Sequence, residues 1–158
     1  MTNKIGKRGE SIFSTIISRY INSTGFLFDP LFMGDKFPII DFYVALFNYT
    51  AKKGFFFASV KCTTLGFNAD KSLLKIVVNK EDIAELKKFA VPVYLFGIDE
   101  REETGYFICA NNLDQSANLN GIPTKYPVNS LNIEQLWKEV ARYWDGNNEI
   151  TKFVSHFN

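Results

Sequence analysis

The chain has 158 residues, of which 46% are hydrophobic and 22% charged, the balance of one folded domain, which excludes wholesale disorder. The formal net charge is +1. Two cysteines give no disulfide framework and no metal-ligand spacing, and a single histidine, His156, argues against a His-rich metal site or a mechanism built on a histidine base. No apolar run approaches the roughly 18–20 residues that cross a bilayer, and the polar, basic start has no signal-peptide core behind it. The expected setting is therefore cytoplasmic, without a membrane partner and with both thiols free.

The pattern predicts an amphipathic helix over residues 10–22, where Ile12, Phe13, Ile16, Ile17, Tyr20 and Ile21 share one stripe and Gly25 ends it. Strands follow over 26–33 and, after Pro38, over 39–47, with a turn near 50–54 and a strand over 55–62. A short β-branched strand is expected over 73–78. Asn79 then caps a helix over 80–90, with Val78 and Ile83 as a hydrophobic staple. Further strands are predicted at 92–98 and 106–110, joined by an acidic turn. Residues 111–129 read as a long, polar, mobile surface loop. The last helix, 133–144, takes Asn132 as its N-cap and Leu131 with Leu136 as its staple. There is no repeat, low-complexity tract or linker, so residues 1–158 form a single domain of α/β or α+β class around a mixed sheet.

The charge is unevenly placed. Residues 1–90 hold 13 basic against 8 acidic side chains, and residues 91–158 hold 5 against 9. A basic half suits a polyanion, although most of its lysines read equally as solvated surface.

Three ionisable residues stand where the pattern wants apolar ones. Glu10 falls about 20° from both Ile17 and Ile21 on the helical stripe, by the 100° step per residue. It reads either as a core-side carboxylate needing a partner or cation, or as a first-turn acid answering the helix dipole. Asp41 lies in a strand whose even face, Ile40, Phe42, Val44 and Leu46, is wholly apolar. Lys61 shares the odd face of the following strand with Ser59. A hairpin of these two strands brings Asp41 near Lys61, which is either a structural cross-strand pair or, with Glu10, a divalent-cation site with a lysine beside it.

Gly9-Glu10 opening the first helix, the acid in IIDF, and ASVKCTT after a hairpin turn resemble the PD-(D/E)xK, or restriction-endonuclease-like, nuclease superfamily. They look most like its short bacterial domains of unknown function. VPVYLFGID, GYFICANNL and SLNIEQLWKEVARYW fit as well, so the resemblance spans roughly residues 4–144. It implies a restriction-endonuclease-like core, a mixed central sheet of about five to six strands flanked by helices. It also implies Mg²⁺ or Mn²⁺ held by Asp41, Glu10 and the Val60 carbonyl, with Glu10, Asp41, Lys61 and Ser59 as the catalytic positions. Ser59 stands where the family has Glu, Asp or, in this branch, Gln, and a hydroxyl is the poorer ligand, so the implied site is weakened. Phosphate contacts are expected from Lys4, Lys7, Arg8, Lys36 and Lys71, and DNA is the expected nucleic acid. Such domains sit near bacterial defence or mobile-element functions. Two functions remain open: a metal-dependent nuclease, and a catalytically silent module that serves as the recognition or interaction subunit of an assembly. Either expects a protein partner or self-association, because the chain has no obvious specificity element.

Overall fold

The computed structural model describes residues 2–21, 25–47, 54–146 and 149–158. Residues 50–53 of the expected hairpin turn lie outside them. Helix α1 spans Thr2–Ile17, eight residues earlier at its start than the stripe predicts. The polar turns before Gly9 carry no hydrophobic period, so the sequence pattern cannot see them. Ile21 belongs to the predicted stripe by spacing but is buried from a strand: Tyr20–Ile21 (β1) pairs antiparallel with Gly25–Phe26 (β2). Gly25 serves that hairpin rather than ending the helix.

The remaining elements are β3 (Phe28–Phe32), β4 (Phe42–Leu46), β5 (Phe55–Thr63), β6 (Leu73–Val78), α2 (Lys80–Leu86), β7 (Val93–Asp99), β8 (Thr104–Cys109), β9 (Leu119–Pro123) and α3 (Ser130–Asp145). A 3₁₀ turn, Ile150–Lys152, follows. The fold is mixed α and β, with a five-stranded sheet in the order β3-β4-β5-β7-β8. Only the β5/β7 pair is parallel, and β6 with α2 forms the crossover between them. β7 is buried along its whole length, as a central strand covered on both faces must be.

Side-chain alternation sorts the core into two layers. Phe56, Ala58, Tyr94, Phe96 and Ile98 point towards α1 and α3 and meet Phe13, Ile16, Leu136 and Val140. On the other face, Leu95 and Ile108 pack against Ile83 of α2 and Leu74, Ile76 and Ile122 of the β6–β9 pair. Gly97 makes that second layer fit, because a Cβ there would stand 2.6 Å from Ile122 Cδ1 and 3.0 Å from Leu74 Cδ2.

β3 forms one edge of the sheet. The Leu27 carbonyl accepts from the Phe47 amide and the Met33 amide donates to the Asp41 carbonyl, so the alternate residues Phe28, Pro30 and Phe32 turn their backbone to the open side. Pro30 removes a donor from that edge, which discourages pairing with another strand.

Three sequence expectations are corrected. Residues 111–129 are no loop throughout: β9 pairs antiparallel with β6, and Ile122 is fully buried. A five-residue strand interrupted by Gly121 has too little period to stand out among polar neighbours. The cap of α3 is Asn129, whose side chain accepts from the Asn132 amide at 2.9 Å, and Leu131 is 73% exposed and staples nothing. In α2 the Val78–Ile83 staple is present, both residues lying in one buried cluster. The Asn79 side chain makes no capping hydrogen bond, and the helix stops at Leu86. Among the described residues no helix is long and apolar enough to cross a membrane.

Candidate functional site

The site begins where β4 and β5 part. Ile39, just before β4, has φ of 71°, a strained value for a β-branched residue, and it bends the chain away from its neighbour. Phe42 is the Cα partner of Ala58, yet the Asp41 amide also donates to the Ala58 carbonyl at 2.9 Å, so two residues address one, as at a bulge. The next rung is not made by backbone. The Val60 amide donates to Asp41 Oδ2 at 2.7 Å instead. In an extended strand the carbonyl of a residue points the same way as its amide, so the Val60 carbonyl faces the same fork.

Asp41 is half-buried. Burial raises its carboxyl above the usual range, while the Val60 amide and the Lys61 charge pull it back. Glu10 reaches the region from α1. Its carboxyl is also raised, first by burial and then by the Asp41 and Asp35 charges, with Lys7 opposing. Asp41 thus feels Lys61, and Glu10 feels Asp41, but Glu10 and Lys61 do not act on one another directly. The structure also removes one alternative for Glu10, which is the ninth residue of α1 and far from its first turn.

Ser59 and Lys61 point to the α2 side of β5. The Lys61 ammonium meets Asp82 of α2 at 3.6 Å, so the simple Asp41–Lys61 cross-strand ion pair is not the contact that forms. Ser59 is fully buried and its hydroxyl finds no hydrogen-bond partner among the described residues. It is sealed beneath the second layer rather than turned towards Glu10, which belongs to a helix on the opposite face.

The basic residues divide. Lys4 and Lys7 are exposed on α1, and Lys36 is exposed in the segment joining β3 to β4. Arg8 is engaged by Glu100 at 3.6 Å and by Glu103. Lys71 lies in the turn before β6, its carbonyl accepting from Thr124 Oγ1 at 2.7 Å, with the β6–β9 pair. Those last two do not join the cluster around the fork.

Sequence reasoning missed Asp35, whose charge acts on Glu10 and which lines the same cleft. It lies outside any strand or helix, so no periodicity marks it. Gly9 was read only as a helix opener. A Cβ on it would stand 2.5 Å from Cys62 Cβ, so this glycine sets how closely α1, and with it Glu10, approaches β5.

As a donor set, Glu10, Asp41 and the Val60 carbonyl offer oxygen only, which suits Mg²⁺ or Mn²⁺ and not a thiolate or imidazole metal. Among the described residues no group of three His, Cys, Asp or Glu side chains converges to hold a metal ion. Two carboxylates still meet the needs of Mg²⁺, which keeps several waters and takes substrate oxygens for the rest. No family model, curated protein or solved structure significantly matches the chain.

Proposed function

We propose that the fork between β4 and β5 is a weakened divalent-cation site of a PD-(D/E)xK-like nuclease domain acting on nucleic acid. The observation that carries this reading is the Asp41 carboxylate replacing a backbone rung at Val60, with Glu10 raised by burial and by the Asp41 charge, and Asp41 itself within reach of the Lys61 charge. Two partly buried acids that both resist ionisation are an arrangement a divalent cation relieves. A mixed five-stranded sheet with helices packed on it agrees with the coarse architecture that the resemblance implies. In this reading Glu10 and Asp41 hold Mg²⁺ or Mn²⁺, which lowers the pKa of a bound water and neutralises phosphate charge. Lys61 then leaves Asp82 to steady the attacked phosphate.

The second reading, a silent module that binds nucleic acid or a partner protein without cleaving, is favoured by Ser59 and Lys61. The position that supplies the family's further acid or amide is a buried serine, and the lysine is shared with Asp82.

The test is Mn²⁺ titration followed by electron paramagnetic resonance and thermal melting, alongside cleavage assays on single- and double-stranded DNA and RNA. Binding to the wild type, lost in Glu10→Gln and Asp41→Asn, supports the cation site. Cleavage that disappears with Lys61→Ala while Mn²⁺ binding persists selects the enzyme, and binding without cleavage selects the module. No Mn²⁺ response in the wild type overturns the cation site and the enzyme, and the absence of nucleic-acid binding as well overturns the nucleic-acid-binding module.

A further inference from the structure

A cavity of about 460 Å³ opens between α1 and the edge strand β3. Lys7, Glu10 and Ser14 form one wall, Phe32 and Asp35 the other, and Phe42 lies at its base. The chemistry of the two walls differs. The α1 wall continues outward as Lys4, Lys7 and Ser11, all exposed, residue types that bind a phosphate backbone. The opposite wall ends in Phe32, which is 48% exposed and, among the described residues, meets the ring of Phe42 at a centroid distance of 5.5 Å. Half of its surface is thus open to solvent at the cavity wall.

We propose that this cleft takes an unpaired nucleotide of a single-stranded nucleic acid, with the base stacked on Phe32 and the backbone running along Lys7 and Lys4. An exposed aromatic face beside a basic track is the combination by which proteins hold single strands, since every base offers a π-face and no hydrogen-bond pattern is needed. A duplex has no use for Phe32, because its bases are already stacked and its phosphates need only the cations. The cleft leads to Glu10, so a strand seated there passes the carboxylates of the fork. Glu10 and Asp35 repel phosphate, and Lys7 alone on the cavity walls does not offset them. A divalent cation reverses that local balance, so the bound strand and the cation favour one another.

The inference rests on the cation-site reading for the fate of the strand, and the two fail separately. Fluorescence anisotropy of labelled oligothymidylate and oligouridylate (~12 nucleotides, within the span of one strand-binding fold) is compared with the same oligonucleotides hybridised to their complements. Measurements are made in EDTA and in Ca²⁺. The expected result is tighter binding of the single strand than of the duplex, strengthened by Ca²⁺. Phe32→Ala weakens single-strand binding by about tenfold, the loss of one base–aromatic stack, and Phe32→Trp keeps it, with the new indole quenched as the oligonucleotide is added. Lys7→Gln reduces the slope of log affinity against log salt by about one. Phe37→Ala, a second exposed aromatic packed instead on Phe57 and Phe89, serves as the control and changes nothing. Equal affinity for duplex and single strand, or unchanged binding in Phe32→Ala, overturns the inference. Mn²⁺ titration without oligonucleotide reports on the fork alone. Metal binding without strand binding removes only this inference, and strand binding without metal binding removes only the cation site.

Discussion

The Val60 amide donates to the Asp41 carboxylate at 2.7 Å, although 19 residues separate the two in the chain. A side chain thus occupies the place where the next backbone rung between β4 and β5 belongs. The bond holds an acid at the fork in one orientation while keeping it partly out of water, so its charge is both positioned and penalised. An asparagine oxygen can accept the same bond without the charge.

Asp41→Asn is accordingly predicted to stabilise the metal-free protein at neutral pH. Folding raises the Asp41 and Glu10 carboxyls above their ordinary values of 3.8 and 4.5. Their protonation therefore favours the folded state. That contribution is complete below the ordinary values and is lost as pH rises through the raised ones. The advantage of Asp41→Asn over wild type should be largest at pH 7 and shrink towards pH 4, with saturating Mn²⁺ reversing the order at pH 7. Thermal melts of both proteins across that range check the sign. A variant that falls behind as pH rises would mean that Asp41 is stabilised as an anion.

Ser59→Ala removes a buried hydroxyl that has no partner among the described residues. Leaving such a group unsatisfied costs about 1–3 kcal/mol, so its deletion is expected to be neutral or to raise stability by up to about 1 kcal/mol. Ser59→Glu places a charge in the same sealed position and should lower the melting temperature sharply. If Ser59→Ala instead abolishes a nucleic-acid-dependent activity, the hydroxyl works in the site despite its burial.

Gly9→Ala tests the approach of α1 to β5. Alanine is the better helix former by about 1 kcal/mol, yet its Cβ would stand 2.5 Å from Cys62 Cβ and 3.0 Å from its sulfur. Overpacking of this kind costs about 1–3 kcal/mol, so a net loss of stability is expected in urea unfolding, with weaker Mn²⁺ binding because Glu10 follows Gly9. Cys62→Gly in the same chain should recover part of both.

Glu139 anchors the C-terminal segment. Its buried carboxylate accepts from the Tyr94 hydroxyl, from Ser155 Oγ at 2.7 Å and from the His156 amide at 2.7 Å. Beyond them the Phe157 carbonyl accepts from the Cys109 amide at 2.7 Å, beside β8. Tyr94 is wholly buried, and burial together with the Glu139 charge keeps its phenol protonated as a donor. Glu139→Ala leaves that hydroxyl without an acceptor and should cost about 3 kcal/mol. It should also expose residues 149–158 to proteolysis under native conditions. Adding Tyr94→Phe should return part of the loss, because the orphaned donor is then gone.

What the sequence determined by itself is what local pattern determines. β6 was predicted with its observed bounds, and β5 and β7 to within a residue, because alternation and β-branched content mark strands directly. Glu10, Asp41 and Lys61 stood out because each breaks an apolar face, and that anomaly needs no knowledge of partners. The tertiary structure decided the rest. β9 exists because β6 and Gly97 give Ile122 a buried place, and α3 begins at Ser130 because the Asn129 side chain reaches the Asn132 amide. Lys61 turns to Asp82, Arg8 to Glu100 and Glu103, and Ser59 disappears beneath the second layer. Spacing along one strand assigns a side chain to a face, but only the elements packed on that face decide whether it meets solvent, a counter-charge or a neighbouring carboxylate.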